Sequence, residues 1–559
     1  MNRFLLQLIS LAACLAALNV HADTRDGATV YAEVCATCHD AGTARTPARD
    51  ALAGLSPARI VTALESGSMR VIGNFSLSGP ERIAVAEHLT GKQYDANWAD
   101  RGTNVCSPSA WPTGKPFSQP HWNGWGNGLE NARFQSATAA GMTAADIPKL
   151  RLKWAFAFPG ETFVESQPTV VGGRIFLGSP SGLVYALDAA TGCTHWTFAA
   201  GAAVKSPVTI AMLNNGSYGV FFGDQAGRVY SLDAATGTLR WDAVGDKHPS
   251  ARVTGGVQIF EGRMYVPMAS LEEAFAMDEN YRCCVFRGSV LAYDIESGER
   301  LWKQYTIDQE PNQSSTGSNG RPMVGPSGAS VWSAVTIDRE RRRIYAGTGD
   351  NYSNPPSDSS DSIVAFDLDT GTRVWTYQGL SGDAWNVGCM AVPKINCPVG
   401  AGPDEDMGAS PLLVVRDGAA PIIIATQKSG VAHAIDPLNN GALIWREKFA
   451  EGGIQGGFQW GQATDGKVLY AAKSDTRWLS DSSISADSKF DPGAGGGLAA
   501  VDVLTGNLLW EAPPVDCSGR ARCGPSHSAA VSAVAGAVFS ASQIVARRLF
   551  KAPTAAQIL

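Results

Sequence analysis

The chain has 559 residues, a net charge of −7 and 44% apolar residues. At ~150 residues per domain this length implies more than one domain, and the apolar share excludes wholesale disorder. Glycine (61 residues, about 11% against a usual ~7%) and a charged share of only 17% disfavour a coiled coil. The acidic balance argues against a nucleic-acid partner, which needs a basic stripe. After residue 22 no window is apolar for long enough to span a bilayer.

In chain order, the first segment is an address. Asn2-Arg3 precedes an apolar run from Phe4 to Val20, and Val20-His21-Ala22 stands before Asp23. This predicts a signal peptide, residues 1–22, cleaved after Ala22, and export to the periplasm, with secretion or membrane association as variants. The alternatives are an uncleaved anchor and a lipoprotein box at Leu11-Ala12-Ala13-Cys14; apolar sequence continuing past Cys14 disfavours the box. Of 11 cysteines, Cys14 leaves with the signal and Cys35 and Cys38 belong to a motif. The other eight are expected as disulfides in an oxidising compartment. Cys389–Cys397 and Cys517–Cys523 are the local pairs, and Cys106–Cys193 is the long-range one. Cys283 and Cys284 either bridge to each other or each pair elsewhere.

Residues 23–97 read as an all-α cytochrome c domain. Cys35-Ala36-Thr37-Cys38-His39 has the C-x-x-C-H spacing that attaches haem c: two thiols reach one porphyrin edge and the histidine meets the iron. A redox disulfide is the competing reading. Met69, the only methionine between Met1 and Met142, is the candidate sixth ligand; the competing reading is a core methionine. A helix is expected from Ser56-Pro57 to Gly67, and a second from Ser78 to about Thr90 with a Ser78/Glu81 capping box and Gly91 beyond it. Ile83, Ala86 and Leu89 mark its inner face.

Residues 98–150 form a linker leading into a repeat array over 151–540. The unit is an apolar strand, an Asp-x-x-(Ser/Thr)-Gly turn and a strand carrying tryptophan. It occurs at Asp188/Gly192/Trp196, Asp233/Gly237/Trp241, Asp294/Gly298/Trp302, Asp367/Gly371/Trp375, a one-residue-longer Asp436/Gly441/Trp445, and Asp502/Gly506/Trp510. Trp154 is an earlier tryptophan without the turn. Units of this size, each burying one face only against its neighbours, are β-propeller blades, and the tryptophans are expected at the seams between them. His527 to Ser540 reads as the first half of another blade, followed at 541–559 by a tail with neither turn nor tryptophan. Seven tryptophan positions fall one short of an eight-bladed ring. The last blade is therefore expected to be incomplete through truncation or frame disruption, with a divergent last strand as the alternative.

The repeat resembles the tryptophan-docking motif of the pyrroloquinoline quinone (PQQ) alcohol dehydrogenases. Asn123-Gly124-Trp125-Gly126-Asn127-Gly128, Asn131-Ala132-Arg133-Phe134 and Cys283-Cys284-Val285-Phe286-Arg287-Gly288-Ser289 are similar to one branch, the polyvinyl alcohol dehydrogenases with a fused cytochrome. The implied fold is an all-β, eight-bladed PQQ-type propeller behind the cytochrome c domain. The implied cofactors are covalent haem c, PQQ and Ca2+. By this resemblance Glu165 contacts the quinone, Lys205 and Thr254 meet its carboxylates, Trp332 stacks on its ring, and Lys428 donates to its oxygens. Glu273, with Glu272 as a one-residue rival, and Asp350 are the implied calcium ligands. Asn386 departs from the pattern: relatives such as methanol dehydrogenase carry a catalytic aspartate after the tryptophan, and Asn386 follows Trp385. Asp383 is the expected base in its place, with Lys428 the second catalytic group. The residue chemistry agrees, since a hard cation takes carboxylate oxygen and an anionic cofactor takes lysines. The implied function is oxidation of secondary alcohol groups, such as those repeating along a polymer, with electrons leaving through haem to a soluble cytochrome or respiratory chain. Competing readings are oxidation of a small alcohol or sugar, a non-catalytic scaffold, and a broken copy.

Overall fold

Helix caps and repeated turns set the local structure in two separate units, residues 1–96 and 97–559. The computed structural model describes residues 25–40, 47–65, 69, 72–73, 76–95, 104–108, 111, 115–159, 161, 164–477, 491, 493–517 and 523–541. The expected signal peptide, Gly67 and the tail beyond Ala541 lie outside the described residues.

In the first unit, Asp26 caps α1 (Gly27–Val30), which runs on through residues 31–35 into α2 (Ala36–His39). Short α3 (Arg49–Ala53) and α4 (Pro57–Glu65) follow, and α5 (Gly79–Thr90) closes the unit. The Ser78/Glu81 capping box is formed, and Gly91, at φ 66°, ends α5 in the left-handed conformation that glycine adopts without strain. The buried face of α5 is Val85, Ala86 and Leu89; Ile83 is only half-buried, so the expected stripe is centred on Val85 instead. Gly27 lets α1 cross α5, since a side chain there would run into the backbone of Ala84.

The second unit is built of antiparallel meanders. Six sheets lie at residues 169–199, 209–244, 251–305, 336–378, 412–448 and 463–512; five run from strand to strand in chain order, and in the one at 251–305 both Ala251–Arg252 and Gln258–Phe260 pair with Arg263–Ser270. In all six the register shifts by one residue between the third and fourth strands, next to the Asp-x-x-(Ser/Thr)-Gly turn. Each tryptophan faces alanine or serine across that pair (Trp196 opposite Ala186, Trp241 opposite Ser231), which leaves room for the indole over the sheet. It reaches the next sheet's turn: Trp154, Trp196, Trp241, Trp302, Trp375 and Trp445 lie where side chains on Gly192, Gly237, Gly298, Gly371, Gly441 and Gly506 would be. Trp154, Trp196, Trp241 and Trp445 also donate Nε1–H to the carbonyl one residue past the turn aspartate, at 2.9–3.2 Å. The tryptophans are therefore seam residues. A seventh sheet pairs Ser532–Val534 with Ala537–Phe539 and, in parallel, with Phe134–Gln135.

The glycine-rich segment 123–133 meets all seven sheets in turn. Asn123 bonds Ile210, Gly124 bonds Thr169, Asn131 bonds Gln258, Val335 and Thr336, and the carbonyls of Glu130 and Ala132 accept from Leu413 and Thr464. Arg133 reaches Val531 and Ser532. One strip of chain thus sits at the hub on which the sheets converge.

Disulfides join Cys106–Cys193, Cys283–Cys284, Cys389–Cys397 and Cys517–Cys523, so the vicinal alternative holds.

Candidate functional site

The helical unit carries a preformed ligand set. Cys35 and Cys38 are free thiols one helical turn apart, Cys35 half-buried and Cys38 exposed. His39 is buried, and its Nδ1–H donates to the Pro47 carbonyl at 2.8 Å, which leaves the Nε2 lone pair for a metal. Met69 and Cys35 both pack against the cluster formed by Val30, Tyr31, Ile60, Leu64 and Leu89. The residue types, an imidazole, a thioether and two thiols, are those that hold a haem.

At the hub of the second unit is a cavity of about 710 Å³, within the ~300–1,000 Å³ range of small-molecule sites. Glu165, Lys205, Thr254 and Trp332 all line it. Each stands four residues ahead of a strand of its sheet, at Thr169, Thr209, Gln258 and Thr336. That repeated position faces the axis, so four distant stretches of sequence meet. Lys205 pairs with Glu165 at 2.5 Å, so the cation and the acid arrive as a partly exposed ion pair. Trp332 packs on Gly408 and stands edge-on to Trp460, with ring centres 5.0 Å apart.

Behind Trp332 lies a buried acidic cluster. Asp406 is its centre: one oxygen accepts the Asp350 N–H at 2.8 Å, and the other accepts Trp332 Nε1–H at 3.1 Å and pairs with Lys428 at 3.0 Å. Lys428 also donates to Asp404 at 2.7 Å and lies 5.9 Å from the centre of the Trp332 ring. Oxygens of Asp350, Asp404 and Asp406 can all lie within 4.8 Å of one another. Burial, then Asp406 and Asp404, pushes the Asp350 carboxyl far above its usual range. Glu273 is raised to about 7 by burial and by Asp406, against the pull of Lys428 and Arg252. Burial works against charge on Lys428, but Asp404 and Asp406 outweigh it and hold the ammonium well above its ordinary value. So many buried acids around one lysine leave unneutralised charge. Asp350 Oδ2 has no partner among the described residues. An all-oxygen, buried and under-bonded donor set fits a hard cation.

Glu272 and Glu273 sit in different surroundings. Glu272 is fully buried and accepts from the N–H groups of Val285 and Phe286 and from Tyr281, with His248 at 3.4 Å. Burial opposes its charge, but His248 and those donors hold the carboxyl below its usual range. It braces the loop beside Cys283–Cys284, and Glu273 is left to face the acids. Asn386 is likewise structural: its amide donates to the carbonyls of Tyr352 and Asn396 and accepts from Gly388. Asp383 is buried, with Oδ2 accepting from Glu405 and Oδ1 unpartnered. Burial, then Asp406, raises it to about 6, although the N–H of Glu405 pulls the other way. The Cys283–Cys284 bridge is wholly buried against Tyr352 and Phe286 and does not line the cavity.

Residues 122–397 match the family described as glucose/ethanol/alcohol dehydrogenase, beta-propeller domain, and residues 22–89 match cytochrome C oxidase, cbb3-type, subunit III. Polyvinylalcohol dehydrogenase of Sphingopyxis sp. (strain 113P3) is 38% identical over 94% of this chain and 81% of its own length. The chain belongs to the polyvinylalcohol dehydrogenase family. A second member, from Pseudomonas sp, is 37% identical over 92% of the chain and 81% of its own length. The fold of these dehydrogenases is shared with quinohemoprotein alcohol dehydrogenase from Comamonas testosteroni (TM-score 0.55, 21% identity, 75% of this chain and 70% of that one). It is shared too with a europium-containing methanol dehydrogenase (TM-score 0.54, 19% identity, 76% and 82%). The chain thus combines a PQQ-type propeller domain with a cytochrome-related domain.

Sequence reading of this dehydrogenase missed Asp404, Asp406 and Asp361. All lie in loops without periodicity. The one available signal was Asp404-Glu405-Asp406 two residues ahead of Gly408, itself four residues before the fifth sheet's first strand at Leu412. Asp361 is fully buried, and burial, Asp406 and Asp383 drive it far upward while Ser360 pulls the other way.

Proposed function

We propose that the chain is a periplasmic quinohaemoprotein dehydrogenase that oxidises secondary alcohol groups, those of polyvinyl alcohol foremost, at the propeller hub and passes electrons to its own haem c. What carries this reading is the convergence of Glu165, Lys205, Thr254 and Trp332 on one cavity, with Trp332 tied through Asp406 to a buried oxygen cluster. Identity of 38% across both units to a polyvinylalcohol dehydrogenase supports the substrate class. An eight-bladed ring is the architecture this reading implies.

When bound, PQQ supplies the two-electron oxidant, Ca2+ the polarising charge and haem c the one-electron carrier. Cys35 and Cys38 would hold the haem covalently, and His39 Nε2 and Met69 would ligate its iron. Trp332 offers an indole plate, and Lys205 and Thr254 offer a cation and a hydroxyl to carboxylates. Lys428, its ammonium 5.9 Å from the centre of the Trp332 ring, would offer a retained positive charge to the quinone. Asp350, Glu273, Asp404 and Asp406 supply oxygen ligands for the cation. Asp383, which is buried and does not line the cavity, would take the hydroxyl proton of the alcohol on Oδ1, the oxygen with no partner among the described residues. A soluble cytochrome or the respiratory chain would take the electrons onward.

The test is reconstitution. Haem-loaded protein given PQQ and Ca2+ should reduce its own haem on addition of polyvinyl alcohol, and chelation or omission of PQQ should abolish the spectral change. Absence of haem reduction with polymer, short secondary alcohols and sugars alike would reject the reading; reduction by a sugar alone would reassign the substrate.

A further inference from the structure

The carboxylates offered to the cation come from three distant parts of the chain. Asp350 is tied to Asp406 by its own N–H, and Asp404 shares Lys428 with Asp406. Glu273 comes from the short helix Glu272–Phe275, and Asp406 acts on it through charge. Where Glu273 stands therefore depends on the backbone that carries it. That helix ends in a turn, with Met277 and Asp278 donating N–H to the carbonyls of Ala274 and Phe275.

Asn396 holds the turn. It is 1% exposed, and its side-chain amide donates to the carbonyls of Ala276, Asp278 and Tyr281 at 3.3, 2.9 and 3.1 Å. Its φ of 50° lies in the left-handed region, which asparagine adopts more readily than most residues. The surroundings impose that conformation. The Asn396 carbonyl accepts from the Asn386 amide at 2.8 Å, its side-chain oxygen accepts from Asn319, and Cys397 beside it is bridged to Cys389. A side chain on Gly388 would strike the carbonyls of Ala276 and Ile395, so the bridged loop lies directly on the turn. The same stretch carries Asp383 before the loop and Asp404 after it, and the Gly402 N–H closes its base on the Ala384 carbonyl. One buried amide thus joins the segment bearing Glu273 to the segment bearing the aspartates.

We propose that Asn396, set by Asn386 and the Cys389–Cys397 bridge, is a positioning residue of the cation site, fixing Glu273 against Asp404 and Asp406. This rests on the functional reading above, which makes Glu273 a cation ligand. Asn396 touches neither cation nor substrate and acts through the main chain behind Glu273. The clamp also accounts for Asn386. Its amide is spent on the carbonyls of Tyr352 and Asn396, where an aspartate would set a carboxylate against two carbonyl oxygens. Asn386→Asp would therefore open the clamp and supply no base.

The test uses the full, haem-loaded chain without PQQ. Ca2+ affinity is read by calorimetry, Tb3+ affinity by luminescence sensitised through Trp332, and backbone mobility by hydrogen exchange. Asn396→Gly suits φ 50° and removes only the amide. In N396G both affinities should fall by about 10–100-fold, the usual weight of a group that orients a ligand from outside the coordination shell. Residues 273–281 should exchange faster, and with PQQ added the lost turnover should return at high Ca2+. N386D should show the same losses with no gain in turnover. Gly237→Ala, a destabilised variant at the rim, should keep wild-type affinity. Unchanged affinity in N396G overturns the proposal, as does a loss no greater than that in G237A. Wild type gives a reading that needs no variant to fold: because coupling is reciprocal, Ca2+ should slow exchange at 386–398 as well as at 273–281. Slowing at 273–281 alone overturns the clamp. Wild type that binds neither cation is a different result, which rejects the cation site of the functional reading and this inference with it.

Discussion

Aspartate meets opposite fates at the rim and at the hub of this propeller. At the rim, Asp188, Asp294 and Asp367 are partly buried, which pushes them upward, but a Thr or Ser hydroxyl and two main-chain N–H groups outweigh that and hold them below their usual range. At Asp502 the bond from Thr505 is itself the largest influence. At the hub, burial and then the neighbouring Asp406 drive Asp350 and Asp361 far upward. Rim carboxylates are satisfied by their own turns and belong to the fold. At the hub, Asp350 keeps an oxygen without a partner among the described residues and lies beside Asp404 and Asp406.

The contrast breaks first at Asp383. Asp383→Asn should lower kcat by ~10²–10⁴ with the fold intact by circular dichroism, the usual weight of a general base. Wild-type kcat/KM should rise with pH and level off above about pH 6, because the raised carboxyl must lose its proton to act. A bound cation favours the carboxylate and moves that limb lower, never higher. Asp406→Asn, which removes the charge shared by Trp332, Lys428 and Asp350, should cost ~10²–10³ in kcat and weaken Ca2+ binding measured by calorimetry. Glu272 and Glu273 sharpen the contrast within one dipeptide. Glu272→Gln should cost about 3 kcal/mol in denaturant unfolding and leave Ca2+ affinity, while Glu273→Gln should do the reverse. At the rim, Gly237→Ala meets both φ 74° and the Trp196 ring, and should cost ~1–3 kcal/mol with kcat retained. Asp502→Asn should be the mildest, ~1 kcal/mol, again without effect on turnover.

The rim was legible because its interactions span two or three residues: Asp188 accepts from Ala190 and Thr191, and Gly192 closes the turn. The helical unit was legible for the same reason, with Cys35, Cys38 and His39 in one run and Ser78 bonded to Glu81. The hub was legible only in part. Glu165, Lys205, Thr254 and Trp332 entered through resemblance, yet their common offset from the strand starts was present in the chain. Asp404, Asp406 and Asn396 lie in loops that carry no period, and nothing nearby in sequence says that they are buried or strained.

From the sequence alone came the two-part organisation, the repeated turn with its seam tryptophan, the haem-type motif and a cation-and-indole set for the hub. All of these rest on contacts between near neighbours or on a pattern repeated along the chain. The folded molecule decided that Glu272 braces a loop while Glu273 faces the acids, that Asn386 is structural, and that segment 123–133 gathers seven sheets. It also made Asp406 the centre of the site. Those outcomes depend on which distant groups share a volume from which water has been removed. Desolvation and charge crowding are properties of that volume and not of any stretch of chain.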